Sequence, residues 1–352
     1  MVKRERWIDY TKGLAMIAVV VDHYPYRNPM LQPVMYFSVV LFFLMAGYNS
    51  YSSLERRQPE HYDWGYTGKH CWKLAKPYLL ASAVVVLYAH GVLDLGTYGR
   101  AVLTFSASAP FYFVLIFLQM ILVSQLLYFM IKRSKAGAHP LLLQGAMLLL
   151  LLVVVWFTQQ YTHLFDLHGT AKNLLGGFYL LMFFIGMLWN ADHLQKRSPI
   201  LPACIAAVVF LACLYFILQQ QELFGMGPLS KSPPKLTLPL YGLAVFMLCA
   251  TLLPRLEKKG GRVLFTILSP LEWCGKYSLQ IFLYHLLFID LISLYVLEPL
   301  FALSLVSGTP WLSLLVRLAG LLLSIALPVV FTFLYRYGKG KLVQWWKSPG
   351  TA

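Results

Sequence analysis

The stretch from Arg6 to Tyr26, RWIDYTKGLAMIAVVVDHYPY, carries two side chains whose types and spacing suit chemistry, Lys12 and His23. On a helix turning about 100° per residue they return to nearly one face, about 16 Å apart along the axis. An ammonium holds a phosphate or other anion, and an imidazole with an unperturbed pKa of about 6.5 moves protons near neutral pH. The bland alternative places Asp9 and Lys12 among lipid headgroups and makes His23 a packing residue.

The element that must position the pair is a membrane span. From Ile8 to Tyr26 the run is long enough for one crossing, which takes roughly 20 residues at about 1.5 Å each. A charged or imidazole group facing lipid at mid-bilayer costs about 2 to 3 kcal/mol or more, so this face should look into protein or a wet cavity.

The remaining chain is of the same kind. Its 352 residues are 59% hydrophobic and 12% charged, with mean hydropathy +0.65, whereas soluble domains carry about 25% charged residues. Apolar runs near 8–26, 33–54, 74–93, 110–131, 140–160, 174–191, 199–219, 237–253, 277–298 and 312–335 predict an all-α polytopic membrane protein of about ten spans. No polar tract between them is long enough for a separate soluble domain, so residues 1–352 read as one integral membrane domain.

The net charge of +15 does not point to nucleic acid, because its placement is that of a topology signal. One set of alternating loops carries most of the Lys and Arg, while the other set holds only Arg27, Arg100, Lys172, Lys231 and Lys235. The positive-inside rule then puts both termini in the cytoplasm. Basic residues precede the first run as they would in a signal peptide, but Asp9 and Lys12 interrupt it and no small-residue cleavage site follows, so it reads as retained.

Chemistry elsewhere is sparser. The five cysteines show no C-x-x-C spacing, and the outer-loop set His163, Asp166, His168 and Lys172 has poor spacing for a metal, so no metal site is read. Tyr48 and Asn49 end the second span beside Gly47, fitting either packing or a ligand contact. The polar segment from Glu55 to Lys76, with Lys69 and Lys73, reads as an inner loop for anionic lipid or a soluble anion. In the ninth span, KYSLQIFLYHLLFIDLISLYVLEP, His285 falls near the depth of His23, and Asp290 is expected to neutralise Arg317.

Taken together, RWIDYTKGLAMIAVVVDH, FFLMAGYNSY, PFYFVLIFLQM and GKYSLQIFLYHLLF resemble membrane-bound acyltransferase family three, the family of bacterial sugar O-acetyltransferases, and its fucose 4-O-acetylase-like branch in particular. The family motif of a basic residue, ten intervening positions and a histidine is met by Lys12 and His23. Many members carry arginine at the first position, lysine being usual in that branch, and Asp22 stands where a small residue is common. The resemblance implies a multi-pass protein of a bacterial inner or plasma membrane that moves an acyl group, usually acetyl from acetyl-CoA, to a hydroxyl of an extracytoplasmic or lipid-linked glycan.

Acyl transfer needs a base for the hydroxyl, donors for the tetrahedral oxyanion and a site that excludes water. His23 suits the first task, as a base or as a transiently acylated group. Lys12, with Arg6, Lys69 and Lys73, suits the phosphates of a coenzyme A thioester, while Asp9, Tyr48, Asn49 and His285 are candidate cavity walls. Arg27, four residues after His23, is a candidate oxyanion contact. Asp22, about 100° round the helix, is expected to be poorly placed to orient the imidazole. A different class, a polytopic exporter of a glycan or lipid-linked intermediate, would need the same buried polar groups, although the halves show no internal repeat. A ligand-binding membrane sensor would need an attached signalling domain, and none is visible in the chain.

Overall fold

The computed structural model describes residues 5–164, 174, 176–194, 200–230 and 234–347. Asp166, His168 and Lys172 of the outer loop lie outside the described residues, as does the side chain of His163. In chain order the helices are α1 (Arg6–His23), α2 (Leu31–Val34), α3 (Ser38–Arg57), α4 (Trp64–His90), α5 (Leu95–Leu103), α6 (Tyr112–Ala136), α7 (Pro140–Leu164) and α8 (Phe178–Ala191). They continue as α9 (Ile200–Leu218), α10 (Thr237–Lys259), α11 (Arg262–Lys276), α12 (Ser278–Ile292), α13 (Glu298–Ala302), α14 (Ser304–Ser307) and α15 (Pro310–Lys347). Among the described residues the only β pairing is an isolated bridge between Gln221 and Pro228.

Among the described residues eight helical segments are long and apolar enough to cross a bilayer, and large apolar side chains of α7, α9 and α15 point outward as lipid-facing surfaces do. The chain is therefore an all-α, multi-pass membrane protein. The other two expected runs are also helical: α1 matches a span in length but carries Arg6, Asp9, Lys12 and Asp22, and α8 is shorter.

α1 stands at the centre of the fold. Residues from Trp7 to Val21 are buried on most of its circumference, and it packs against α3, α10, α11 and α12. It stops at His23 because Tyr24, preceding Pro25, is forced extended (φ −76°, ψ 117°). Glycines bring backbones together. A Cβ at Gly13 would collide with the carbonyl of Leu271 in α11, and one at Gly275 with the carbonyl of Asp9. Gly47 and Gly186 make the same reciprocal approach between α3 and α8.

Two sequence expectations are corrected here. Residues 64–76, expected in a loop, form the first turns of α4. The side chain of Asp63 accepts from the Tyr66 amide at 2.9 Å as an N-cap, and buried Gln125 of α6 bonds the Asp63 backbone and Thr67. That amide bond, aided by Arg57, holds the Asp63 carboxyl below the usual carboxylate range. Asp290 and Arg317 form no ion pair: Tyr88 donates to Asp290 at 3.4 Å, and the Arg317 guanidinium lies 5.6 Å from the Phe301 ring centroid.

Candidate functional site

Glu5, Ile8, Asp9 and Lys12 follow one another at helical spacing on a single face of α1, and that face lines a cavity of about 1050 Å³. The opposite wall is α3, running antiparallel, since Tyr48 donates to Glu5 at 2.9 Å while Gln32, just before α3, reaches the carbonyl of Asp22 at the other end of α1. α3 contributes Tyr48, Asn49 and Arg56. Tyr66, His70 and Lys73 enter from one face of α4, and Asn190 and His193 from the end of α8. Lys12, Lys73 and Arg56 thus bring three fixed cations to one chamber, whose volume lies at the upper end of the roughly 300–1,000 Å³ usual for small-molecule sites.

Several wall residues are fixed by their own bonds. Trp7 Nε1 donates to the Glu5 carboxylate at 3.1 Å, alongside the Tyr48 hydroxyl. Asn190 donates to the Tyr48 carbonyl at 2.8 Å and to Ser52, so the end of α8 is tied to the middle of α3. Hydrogen bonds to charged groups contribute about 1.5–3 kcal/mol each, enough to hold this wall in one arrangement.

The expected donor-binding residues separate. Lys12 and Lys73 line the chamber. Arg6, on a different face of α1, lies over the Phe265 ring at 5.3 Å and borders a shallow groove with Glu272. Lys69, turned about 100° from its neighbour His70, is exposed. Of the expected wall residues, Asp9, Tyr48 and Asn49 line the chamber and His285 does not.

Toward the far end of α1 the chamber is bounded by Phe42, Phe113 and Phe282. Phe113 contacts Phe42 at 6.0 Å and Phe282 at 5.0 Å between ring centroids, which makes a continuous aromatic partition. Behind Phe282 stands His285, fully buried, and behind it His23. The two imidazoles meet edge to face, with centroids 5.2 Å apart. His23 therefore lies beyond the partition and not on the wall that carries Lys12.

Both rings have a fixed tautomer. His23 Nδ1 lies 3.0 Å from the Val19 carbonyl, and His285 Nδ1 lies 2.8 Å from the Phe282 carbonyl. A carbonyl only accepts, so each Nδ1 carries a proton, and in the neutral ring each Nε2 presents the lone pair. The His23 side chain is 31% exposed, so its Nε2 can be approached, whereas His285 Nε2 is buried without a hydrogen-bond partner.

Asp22 makes no hydrogen bond to the His23 ring. Its Oδ2 lies 3.7 Å from His23 Nδ1, beyond hydrogen-bond distance from a nitrogen already held by the Val19 carbonyl, and its Oδ1 is buried with no hydrogen-bond partner. Arg27 is not on the His23 face. The chain turns at Pro25, and the guanidinium bonds back to the Tyr24 carbonyl at 2.6 Å.

All of this lies within residues 5–333, which match the family model described as an acyltransferase domain. The chain belongs to acyltransferase family three. No curated protein and no solved structure matches it. For a membrane acyltransferase the arrangement is chemically coherent: cations and amides in one chamber suit a donor, and a tautomer-locked imidazole beyond an apolar partition suits proton transfer away from bulk water. Sequence reasoning missed Glu5, Asn190 and His193, and had Arg56 and His70 only as members of the basic segment from Glu55 to Lys76. The face shared by Glu5, Asp9 and Lys12 was open to helical periodicity, but nothing local marks the end of α8 as a neighbour of α3.

Proposed function

We propose that this membrane acyltransferase takes its acyl group, most simply acetyl, from a coenzyme A thioester and delivers it to a hydroxyl of an extracytoplasmic or lipid-linked glycan. The Lys12 end of α1 faces the cytoplasm in this reading, as the distribution of Lys and Arg favours, and the His23 end faces outward. The observation that carries the reading is the His23 ring: Nδ1 is held by the Val19 carbonyl, Nε2 is available, and the ring meets buried His285 edge to face behind Phe282.

In the step this implies, His23 Nε2 takes the hydroxyl proton as the hydroxyl oxygen attacks the thioester carbonyl. A carbon–oxygen bond forms, the carbon–sulfur bond breaks, and the departing sulfur leaves as the thiol with the proton returned from Nε2. Lys12, Lys73 and Arg56 would hold the donor's phosphates while its acyl arm reaches past the phenylalanine rings. The test is acyl transfer by purified full-length protein with labelled acetyl-CoA. His23→Gln is expected to lower turnover by about 10²–10⁴-fold with donor affinity retained. Transfer at the wild-type rate by His23→Gln would sink the proposal.

A further inference from the structure

Two rings on the chamber wall have no task yet. Tyr66 and His70, one turn apart on α4, both line the cavity, and their ring centroids are 4.0 Å apart with the planes tilted by 36°. Each ring is pinned. The Tyr66 hydroxyl shares a hydrogen bond with Ser53 of α3 at 3.0 Å, and His70 Nδ1 lies 2.8 Å from the Tyr66 carbonyl. The Arg57 guanidinium stands 5.1 Å from the Tyr66 ring centroid, so a cation supports the pair. Half-buried flat rings held in this way at a cavity wall suit the stacking of a heterocyclic base, for which tyrosine and histidine both serve.

Their place along the cavity is a second, independent argument. Ser53 follows Tyr48 by more than one turn of α3, about 7.5 Å nearer the end of that helix, which sets Tyr66 at the cytoplasmic mouth in the orientation adopted above. Lys73 follows Tyr66 on the same face of α4, about 10 Å further in, and Phe42, Phe113 and Phe282 close the far end. From the mouth inward the wall thus offers flat rings, then the cations Lys73 and Lys12, then apolar rings. A coenzyme A thioester is built in the same order: a base, phosphates, and a pantetheine arm with the thioester at its tip. A donor borne on protein-linked phosphopantetheine has the arm and its phosphate but no base, and would leave Tyr66 and His70 idle.

We infer that Tyr66 and His70 form the subsite for the donor's base, so that this enzyme draws on free coenzyme A thioesters and discriminates against phosphopantetheine carriers that lack a nucleotide. The inference rests on the proposed donor and names the residues that recognise its nucleotide.

The experiment follows displacement of labelled acetyl-CoA from the full-length protein in lipid nanodiscs by coenzyme A and by 4′-phosphopantetheine, which needs no acceptor. Wild type is expected to prefer coenzyme A by about a hundredfold or more, since it adds stacking and further phosphate contacts. In His70→Ala that preference is expected to narrow by about tenfold, as loss of a base-stacking contact implies, whereas His70→Phe, which keeps a flat ring, should retain it. Tyr66→Leu is expected to narrow it as well, and it carries the test if His70→Ala does not fold. A preference that stays the same in the folded variants, whether both competitors weaken alike or neither does, overturns the inference. So does phosphopantetheine that competes as well as coenzyme A for wild type. Labelled acetyl-CoA that never binds wild type overturns the donor reading along with it.

Discussion

At the scale of single residues, His285 is the group whose position asks most of its surroundings. It is fully buried, and its one hydrogen bond goes to a carbonyl three residues back in its own helix, leaving Nε2 unsatisfied. A phenylalanine there would keep the edge-to-face contact without the unsatisfied nitrogen. His285→Phe is therefore expected to melt at or above the wild-type temperature in detergent, while kcat falls about tenfold or more through loss of the neighbouring polar ring. Thermal unfolding together with initial rates checks it, and loss of stability would show that the nitrogen has a partner in the native protein. Tyr48 is the contrasting case. Its hydroxyl bond to Glu5 supports a wall, so Tyr48→Phe is expected to cost about 1.5–3 kcal/mol of stability, read as a lower melting temperature.

At the scale of elements, the contacts that fix α1 are made by backbone. Leucine at Gly13 would drive a side chain into the Leu271 carbonyl, so Gly13→Leu is expected to cost about 1–3 kcal/mol or prevent accumulation of folded protein. Gly13→Ala, with a smaller intrusion at the same point, should be milder, and fluorescence-detected size exclusion after heating separates the two. The start of α4 has a pH-dependent element. Because the folded carboxyl of Asp63 is held below its ordinary range, its capping contribution is present above that range and is lost as pH falls through the lowered value. Asp63→Asn should therefore differ from wild type in thermal stability near neutral pH and converge with it in acid.

The helices themselves were legible in the sequence because apolar length is a local property, and Lys12 and His23 because their spacing is a helical period. What joins them was not. The glycine contacts of α11 with α1, the hold of Gln125 on the start of α4 and the arrival of Asn190 beside Tyr48 are set by pairs far apart in the chain. Residues 64–76 looked like a loop because their charge masked a helix that Asp63 begins.

At the scale of the whole molecule, the cations and the imidazole lie on opposite sides of Phe42, Phe113 and Phe282. Opening that barrier should let water reach an activated thioester. Phe282→Ala is expected to raise acetyl-CoA hydrolysis in the absence of acceptor relative to transfer in its presence, measured as thiol release against labelled product. An unchanged ratio would mean that the rings do not separate the two compartments. The same variant should lose about 3–5 kcal/mol of stability as a large buried side chain is removed.

The reciprocal glycine seam with α11 clamps α1 near Lys12, whereas its other end gives way at Pro25 to a short connection carrying exposed Met30 and Leu31. One half of the molecule is thus built like a vice and the other like a replaceable jaw. Grafting a foreign segment over residues 25–34 should retune which alcohol is chosen and leave cofactor handling as it was.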